Sequence, residues 1–309
     1  MSGRQEHDQK LEQWIEEKLK NQPSILEDYM ISIENKTSPT RKAYLGYLIQ
    51  YINFVLEHNL KITEVKPMHI DRYIKFISNG NGPCIVNAKL AAVTSFYDFL
   101  EENDFVTKNP CSNKERLKIK KKPVVYMTVK EVKKIKRNVV SNSRKGIRNN
   151  CIIILGCTTG LRASALVNID IEDIDFDSKT ITVIEKGNNE RTVFLVDEAI
   201  EAINKWLQER YKKTGNNTGP LFTSNNSNRL SVRAMEEMIQ KASQDLDKNI
   251  TPHKMRSTCG MHTYIKTGDI KLAADVLGHA DLRSINRYAE STDKRQREIV
   301  NELGKMFAT

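Results

Sequence analysis

Residues 171–195, IEDIDFDSKTITVIEKGNNERTVFL, are the stretch of sequence that decides the fold. Residues 181–184 and 192–195 are runs of β-branched or aromatic residues, which favour β-strands. The polar, glycine-containing segment between them, residues 185–191, is typical of a hairpin turn. Most of the chain on either side carries the periodicity of amphipathic helices instead. We therefore predict a mainly α-helical fold with a small antiparallel β-sheet in the C-terminal half.

The N-terminal half predicts a separate helical domain over residues 22–110. A helix is expected to start at residues 38–40, Ser-Pro-Thr, where a hydroxyl cap is followed by a proline in the first turn. Another is expected to start at Pro67. The fourth helix is predicted to end at Asn109-Pro110, because proline cannot continue a helix. Four or five helices would make this domain a compact, all-helical unit.

Three further segments complete the organisation of the chain. Residues 1–21 are predicted to be an N-terminal helical extension, which packs on the protein or serves as a small contact arm. Residues 111–124 are predicted to be a basic linker, because the lysine-rich run before Pro123 resists helix formation. The second domain is predicted to cover residues 125–309, and it begins with a capping box at residues 128–131, Thr-Val-Lys-Glu.

The chain is strongly basic, with a formal net charge of +10 over 309 residues. Nucleic acid is the first candidate for a polyanionic partner, since neutralising phosphates releases counterions. A membrane surface is the rival, but neither a basic amphipathic anchor nor a spanning apolar run stands out. Five dispersed cysteines without a CxxC pair, together with a polar N-terminus, favour a cytoplasmic protein without a zinc site or a disulfide framework.

Four short motifs in the C-terminal half carry side chains suited to a phosphate diester. The motif TTGLR places Arg162 after a glycine turn at a predicted helix start, where amide groups and a guanidinium favour an anion. The motif HKMR follows Pro252, which is expected to start a helix, and it puts His253 and Arg256 on one helix face. Each motif taken alone is more often an ordinary surface or packing feature.

The other two motifs lie in the hairpin and near the C-terminus. Lys186 occupies the tip of the predicted hairpin, and a lysine there can reach into a groove. His279 follows a predicted helix in the motif LGHA, and Tyr288 comes nine residues later. A lone tyrosine is usually a packing residue, but its occurrence with the other three motifs in this order is specific.

Taken together, the four motifs resemble those of the tyrosine recombinase (phage integrase) family, simple two-domain type. The resemblance covers about residues 22–288. It implies a helical core-binding domain and an α+β catalytic domain that form a C-shaped clamp on DNA. It also implies a site-specific recombinase that cuts and rejoins DNA through a 3′-phosphotyrosine intermediate, with catalytic residues Arg162, Lys186, His253, Arg256, His279 and Tyr288.

Each of these residues has an expected role. Tyr288 is the nucleophile, and two arginines clamp the non-bridging oxygens and stabilise the charge of the transition state. Tyrosine normally ionises near pH ~10, so His253 is expected to handle its proton. Lys186 would protonate the departing 5′ oxygen, and His279 would donate a hydrogen bond to the phosphate. No cofactor or metal is predicted, because the sequence has no acidic cluster with ligand spacing.

Three positions depart from the family pattern. Ala165 stands where the family usually has an acidic residue, Ser257 replaces a histidine, and Asn189 replaces a lysine of the hairpin. The alanine motivates an alternative, a catalytically silent DNA-binding protein of integrase descent. A relaxing enzyme resembling a type IB topoisomerase is a third hypothesis, but the short helical domain fits it less well.

The predicted partners are double-stranded DNA recombination sites and a homo-tetramer on two DNA duplexes, with strand exchange through a Holliday junction. An accessory directionality factor is a further possible partner, and the apolar residues of the tail after residue 290 could dock on a neighbouring protomer or on their own domain. Integration or excision of a mobile element, resolution and inversion all stay open. The expected DNA-contacting residues are Thr40, Arg41, Lys89, Lys118, Lys120, Lys121, Lys122 and Arg191.

Overall fold

The computed structural model describes residues 24–119, 124–139, 142–184 and 190–278. The described residues up to 119 belong to one compact unit and those from 124 onward to a second. The predicted N-terminal extension and tail lie outside the described residues, and so do several predicted site residues: Lys120, Lys121, Lys122, Lys186, His279 and Tyr288.

The first unit is helical throughout its described elements. The bounds are α1 (Ser24–Ser32), α2 (Ser38–Glu57), a 3₁₀ turn (Ile62–Glu64), α3 (Pro67–Ser78) and α4 (Pro83–Glu102). Prolines occupy the first turns of α2, α3 and α4, where the missing N–H costs nothing because it would have no partner inside the helix. The apolar faces of the four helices pack into one buried core.

Buried tyrosines occupy the centre of this core. The hydroxyls of Tyr51 and Tyr97 lie 2.7 Å apart, and Tyr97 donates to the carbonyl of Ile62 at 3.0 Å. Since that bond uses the only hydroxyl proton of Tyr97, Tyr51 must be the donor between the two tyrosines. Tyr29 donates to Ser95 Oγ at 3.0 Å. These bonds satisfy phenol groups that would otherwise be costly to bury.

Helix α2 begins at Ser38, as predicted, but its cap residue is one position earlier than expected, and the predicted end of α4 is wrong. The cap residue of α2 is Thr37 rather than Ser38, and its side chain makes no capping bond but meets the Thr40 hydroxyl at 2.9 Å. Helix α4 ends at Glu102, well before Asn109. Asn109 instead folds back on the helix, since its amide donates to Asp98 Oδ1 at 2.6 Å and to a backbone carbonyl.

The second unit combines helices with a small sheet. Its elements are α5 (Val129–Val139), α6 (Arg144–Thr158), α7 (Ala163–Asn168), a 3₁₀ turn (Ile171–Asp173), β1 (Ile174–Asp175), β2 (Thr180–Ile184), β3 (Glu190–Phe194), α8 (Asp197–Thr214), α9 (Val232–Ala242), α10 (Pro252–Thr267) and α11 (Ile270–Leu277). Helix α6 is central, because six consecutive residues from Cys151 to Gly156 are buried. It packs against α5, α8 and α10.

The three strands form an antiparallel sheet in the order β1-β2-β3. Ile181 pairs with Val193, and both side chains point into the core. Val183 pairs with Arg191. Opposite residues of an antiparallel pair share a face, so Arg191 lies on the inner face of the sheet with Val193. The sequence prediction of a hairpin is confirmed, while the short strand β1 was not predicted.

Most predicted helix boundaries of the second unit hold. The capping box is present, with the Thr128 backbone N–H donating to Glu131 Oε2 at 2.7 Å and the Glu131 N–H donating to Thr128 Oγ1 at 3.3 Å. Helix α8 continues to Thr214 and ends at the left-handed Gly215. Helix α10 begins at Pro252, as predicted.

The predicted fold class, mainly α with a small antiparallel sheet, is confirmed by these elements. Within the described part of the chain, no helix is both long and apolar enough to cross a membrane.

Candidate active site

Arg162 follows a short turn between α6 and α7, and the residues of this turn fix its conformation. Helix α6 ends at Thr158, and Gly160 follows in the left-handed conformation with φ +62°. Leu161 is buried and anchors the turn in the core. Arg162 is then the N-cap residue of α7, as the sequence predicts, and its side chain is half-buried. The turn therefore delivers this guanidinium to the edge of the domain.

Helix α10 carries the other described residues of the predicted catalytic set. Thr251 is its N-cap and Pro252 its first residue, so His253 lies in the first turn and Arg256 one turn further along. The two differ sharply in environment: His253 is exposed, whereas Arg256 is 2% exposed.

The guanidinium of Arg256 joins two distant parts of the second unit. Its Nη1 donates to the carbonyl of Gly160 at 2.6 Å, and its Nη2 donates to the carbonyl of Leu277 at 2.6 Å. Charge-assisted bonds of this kind are roughly twice as strong as neutral ones. Arg256 thus holds the glycine turn before Arg162 next to the end of α11. This link joins the HKMR motif to Gly160 of the TTGLR motif and to Leu277, the first residue of the LGHA motif.

Arg191 reaches the same end of α11 from the sheet. Its Nη1 donates to the carbonyl of Val276 at 3.3 Å. Gly278 follows with φ +62°, and a Cβ added there would lie 2.7 Å from Cζ of Arg191. The guanidinium therefore packs directly on the backbone of Gly278, the residue before His279.

A buried thiol marks the interior of this region. Cys259 donates to the carbonyl of Thr158 at 3.4 Å. Burial raises the pKa of the Cys259 thiol to about 11, although the charges of Arg256 and Arg191 work against that rise. Both guanidiniums therefore lie close enough to this thiol to influence it, consistent with their contacts to α11. A thiol with so high a pKa is a poor nucleophile.

Ala165 lies inside the protein rather than at its surface. It is 5% exposed, and it belongs to the apolar core of the second unit. The acidic residue that the family usually has here would therefore enter a mainly apolar environment in this chain. Ser257, the second departure from the family pattern, is also buried, whereas Asn189 lies outside the described residues.

The predicted DNA-contacting residues have different surroundings. Lys118 is exposed, and Thr40 and Arg41 are half-buried near the start of α2. The structure argues against a DNA contact at Lys89, which is only 8% exposed. Arg191 is bonded to the end of α11, which gives it a structural contact inside the second unit. The inward direction of Arg191 could have been inferred from sequence, because strand residues two apart share a face and Val193 is apolar.

The structure brings together part of the predicted catalytic set. Arg256 donates to the carbonyl of Gly160, two residues before Arg162, and His253 lies one turn from Arg256. Lys186 belongs to the connection between β2 and β3, and His279 follows Gly278 in the chain. Among the residues that the structure describes, no group of three or more His, Cys, Asp or Glu side chains could hold a metal ion.

Comparison with known proteins identifies the family. Residues 125–295 match the phage integrase family, and the chain belongs to this family of site-specific tyrosine recombinases. The tyrosine recombinase XerC of Caldanaerobacter subterraneus subsp. tengcongensis is 29% identical over 310 residues, which cover 91% of this chain and 86% of the relative.

Solved structures share the fold. The XerH site-specific recombinase bound to a palindromic difH substrate, in a post-cleavage complex, matches with a TM-score of 0.72 at 19% identity, over 89% of this chain and 83% of that one. A lambda integrase tetramer bound to a Holliday junction matches with a TM-score of 0.65 at 15% identity, over 84% of this chain and 77% of that one. At these identities the likeness concerns the fold alone.

Proposed function

We propose that this protein binds specific DNA sites and exchanges strands between them through a covalent bond to Tyr288. The observation that carries the proposal is the link made by Arg256. This residue fastens Gly160, two residues before Arg162, to Leu277, two residues before His279. The match to the phage integrase family over residues 125–295 supports the same reading, since it spans all six positions.

The chemistry follows from the residue types. The Tyr288 oxygen attacks the phosphorus of the scissile diester, a new P–O bond to tyrosine forms, and the bond to the 5′ oxygen breaks. His253 takes the phenol proton and Lys186 supplies a proton to the departing 5′ oxygen. Arg162 and Arg256 bind the non-bridging oxygens, and an arginine so placed contributes on the order of 10³–10⁵ in rate.

The reverse reaction completes the exchange. A 5′-hydroxyl from the partner duplex attacks the phosphotyrosine, and the tyrosine leaves as the phenol. One phosphoester bond replaces another at each step, so the reaction is close to energetic balance and needs no external energy source. In this proposal four copies of the chain hold two duplexes, and residues 22–110 act as the core-binding domain of each copy.

Covalent trapping tests the proposal. The protein is incubated with nicked suicide duplexes from the DNA that flanks its own gene, after binding sites there have been mapped by gel shift. We expect an adduct that resists denaturation and that disappears in Tyr288→Phe. The matched control is Tyr211→Phe, because Tyr211 is 51% exposed on α8 and belongs to no predicted motif. Its adduct should be unchanged.

Two other results would replace the proposal. Binding at a mapped site without any adduct would favour the catalytically silent DNA-binding protein, for which Ala165 is the motivating observation. Relaxation of supercoiled plasmids that lack the mapped site, with a Tyr288-dependent adduct, would favour the topoisomerase-like alternative. Recombination between two mapped sites on one plasmid, lost in Tyr288→Phe, would establish strand exchange.

A further inference from the structure

Two arginines from different elements hold the C-terminal end of α11. The last carbonyls of a helix have no partner inside the helix, and the dipole makes this end negative. Here the carbonyl of Val276 accepts from Arg191 of β3, and the next carbonyl, that of Leu277, accepts from Arg256 of α10. The end of α11 is thus fixed to the sheet and to α10 at once.

The position of Arg191 in the hairpin explains why it can make this contact. Val183 is its cross-strand neighbour, and Val193 lies two residues further along the same strand. Both valines are buried, so the strand periodicity directs Arg191 to the inner face of the sheet. An arginine on the outer face, in register with the exposed Thr192, could not reach α11.

The fit between Arg191 and Gly278 is close. Gly278 has φ +62°, a conformation that glycine adopts without strain. A Cβ at this position would lie 2.7 Å from Cζ and 2.9 Å from Cδ of Arg191, well inside van der Waals contact. The side chain of Arg191 therefore occupies the space that any larger residue at position 278 would need.

We propose that Arg191 is a positioning residue for the strand-cleavage reaction. It fixes the backbone at Gly278, the residue that precedes His279 in the chain. Because Arg191 belongs to β3, it also links this strand to the same helix end. The inference rests on the proposed function, in which His279 binds the scissile phosphate, and it assigns Arg191 a role other than contact with DNA.

A double-mutant cycle tests the proposal in the full-length protein. The single-turnover rate of adduct formation on the suicide duplex is measured at saturating DNA for the wild type, Arg191→Ala, His279→Gln and the double variant. A misplacement of about 1 Å can cost ~10²-fold in rate, so we expect Arg191→Ala to slow cleavage roughly 10- to 100-fold. In the His279→Gln background the same change should cost less than about threefold, because residues acting as a unit are not additive.

The controls separate positioning from folding and from DNA binding. Arg233→Ala removes an arginine from the exposed face of α9, and it should leave the cleavage rate unchanged. The Kd for the duplex should stay within about twofold in Arg191→Ala. Should that variant fail to fold, Arg191→Lys serves instead, since it keeps the charge but not the planar fork. Gly278→Ala provides a second perturbation of the same contact, and we expect it too to slow cleavage.

Three outcomes would overturn the inference. Additive losses in the cycle would mean that Arg191 does not act through His279. Weaker DNA binding with an unchanged cleavage rate at saturation would return Arg191 to a direct DNA contact. An unchanged rate in His279→Gln, while Tyr288→Phe still abolishes the adduct, would remove the role of His279 without touching the proposed function of the protein. Loss of adduct in the wild type would instead contradict the proposed function itself.

Discussion

Gly160→Ala is expected to destabilise the second unit by more than backbone strain alone can explain. Gly160 has φ +62°, and alanine in the left-handed conformation costs roughly 1–2 kcal/mol. The new methyl group would also lie 2.5 Å from Cδ2 of Leu277 and 3.3 Å from Sγ of Cys259. Both neighbours are buried, so neither can move into solvent.

The magnitude follows from adding the two effects. Forcing an extra carbon into a packed core typically costs about 1–3 kcal/mol. Together with the strain, the free energy of unfolding should fall by about 2–5 kcal/mol. Gly215→Ala isolates the strain, because Gly215 also has φ +62° but has no heavy atom within 4 Å of an added Cβ. That control should lose only about 1–2 kcal/mol.

Denaturant unfolding followed by the fluorescence of Trp206 measures the difference. Trp206 is fully buried in the core of the second unit. The chain has two tryptophans, so a Trp14→Phe background makes Trp206 the sole reporter. A single probe in one unit avoids the mixed transitions that multi-domain proteins give.

Equal losses in Gly160→Ala and Gly215→Ala would refute the packing argument. It would mean that the side chains of Leu277 and Cys259 move away from the new methyl group without a free-energy cost, and that the glycine turn packs loosely against α11. A Gly160→Ala variant as stable as the wild type would go further, because it would show that the turn does not require a left-handed residue.

Three more predictions concern stability. Arg210→Met should lower the free energy of unfolding by about 3–4 kcal/mol, because the buried guanidinium donates to the carbonyls of three loop residues. The control Arg233→Met, on the exposed face of α9, should lower it by less than about 0.5 kcal/mol. Burial tends to raise the pKa of Glu131, but hydrogen bonds, first from Lys248, lower it overall. Glu131→Gln should therefore lower the free energy of unfolding by about 1 kcal/mol above pH ~4.5. The difference from wild type should vanish as the pH falls below that value and Glu131 becomes protonated. Ala165→Glu should be destabilising at every pH, because a larger side chain must enter the core. Burial also raises the pKa of a carboxyl, so the loss should be smallest near pH ~4 and grow up to pH ~7, which urea unfolding at several pH values would reveal.

Local signals in the sequence predicted much of the fold. Proline fixes φ at a helical value and lacks an N–H, so Pro67 and Pro252 located helix starts that the structure confirms. The hairpin was predictable because two β-branched runs flank a polar turn. The predicted end of α4 at Asn109 is wrong. The Asn109 side chain is held by hydrogen bonds to Asp98 and to a carbonyl of α4, and its neighbours in sequence give no sign of these bonds.

The site was predictable as residue types but not as an arrangement. Motif context placed Arg162 at a helix start, and the structure confirms this. The carbonyls that accept hydrogen bonds from Arg256 lie 96 and 21 residues away in sequence, so no local sequence pattern predicts these bonds. The contact of Arg191 with Val276 likewise joins residues 85 apart in sequence, although the period-2 pattern of the strand does indicate that Arg191 lies on the inner face of the sheet.

The buried tyrosines of the first unit have a consequence for spectroscopy. Burial raises the pKa of Tyr29 to about 12, and that of Tyr51, Tyr73 and Tyr97 is raised as well. These four of the ten tyrosines in the chain will not ionise near pH ~10, where free phenols do, and so will give no absorbance change there in an ultraviolet titration. The absorbance change in that range therefore comes from at most six of the ten phenols, which simplifies any assignment of the titration to individual tyrosines.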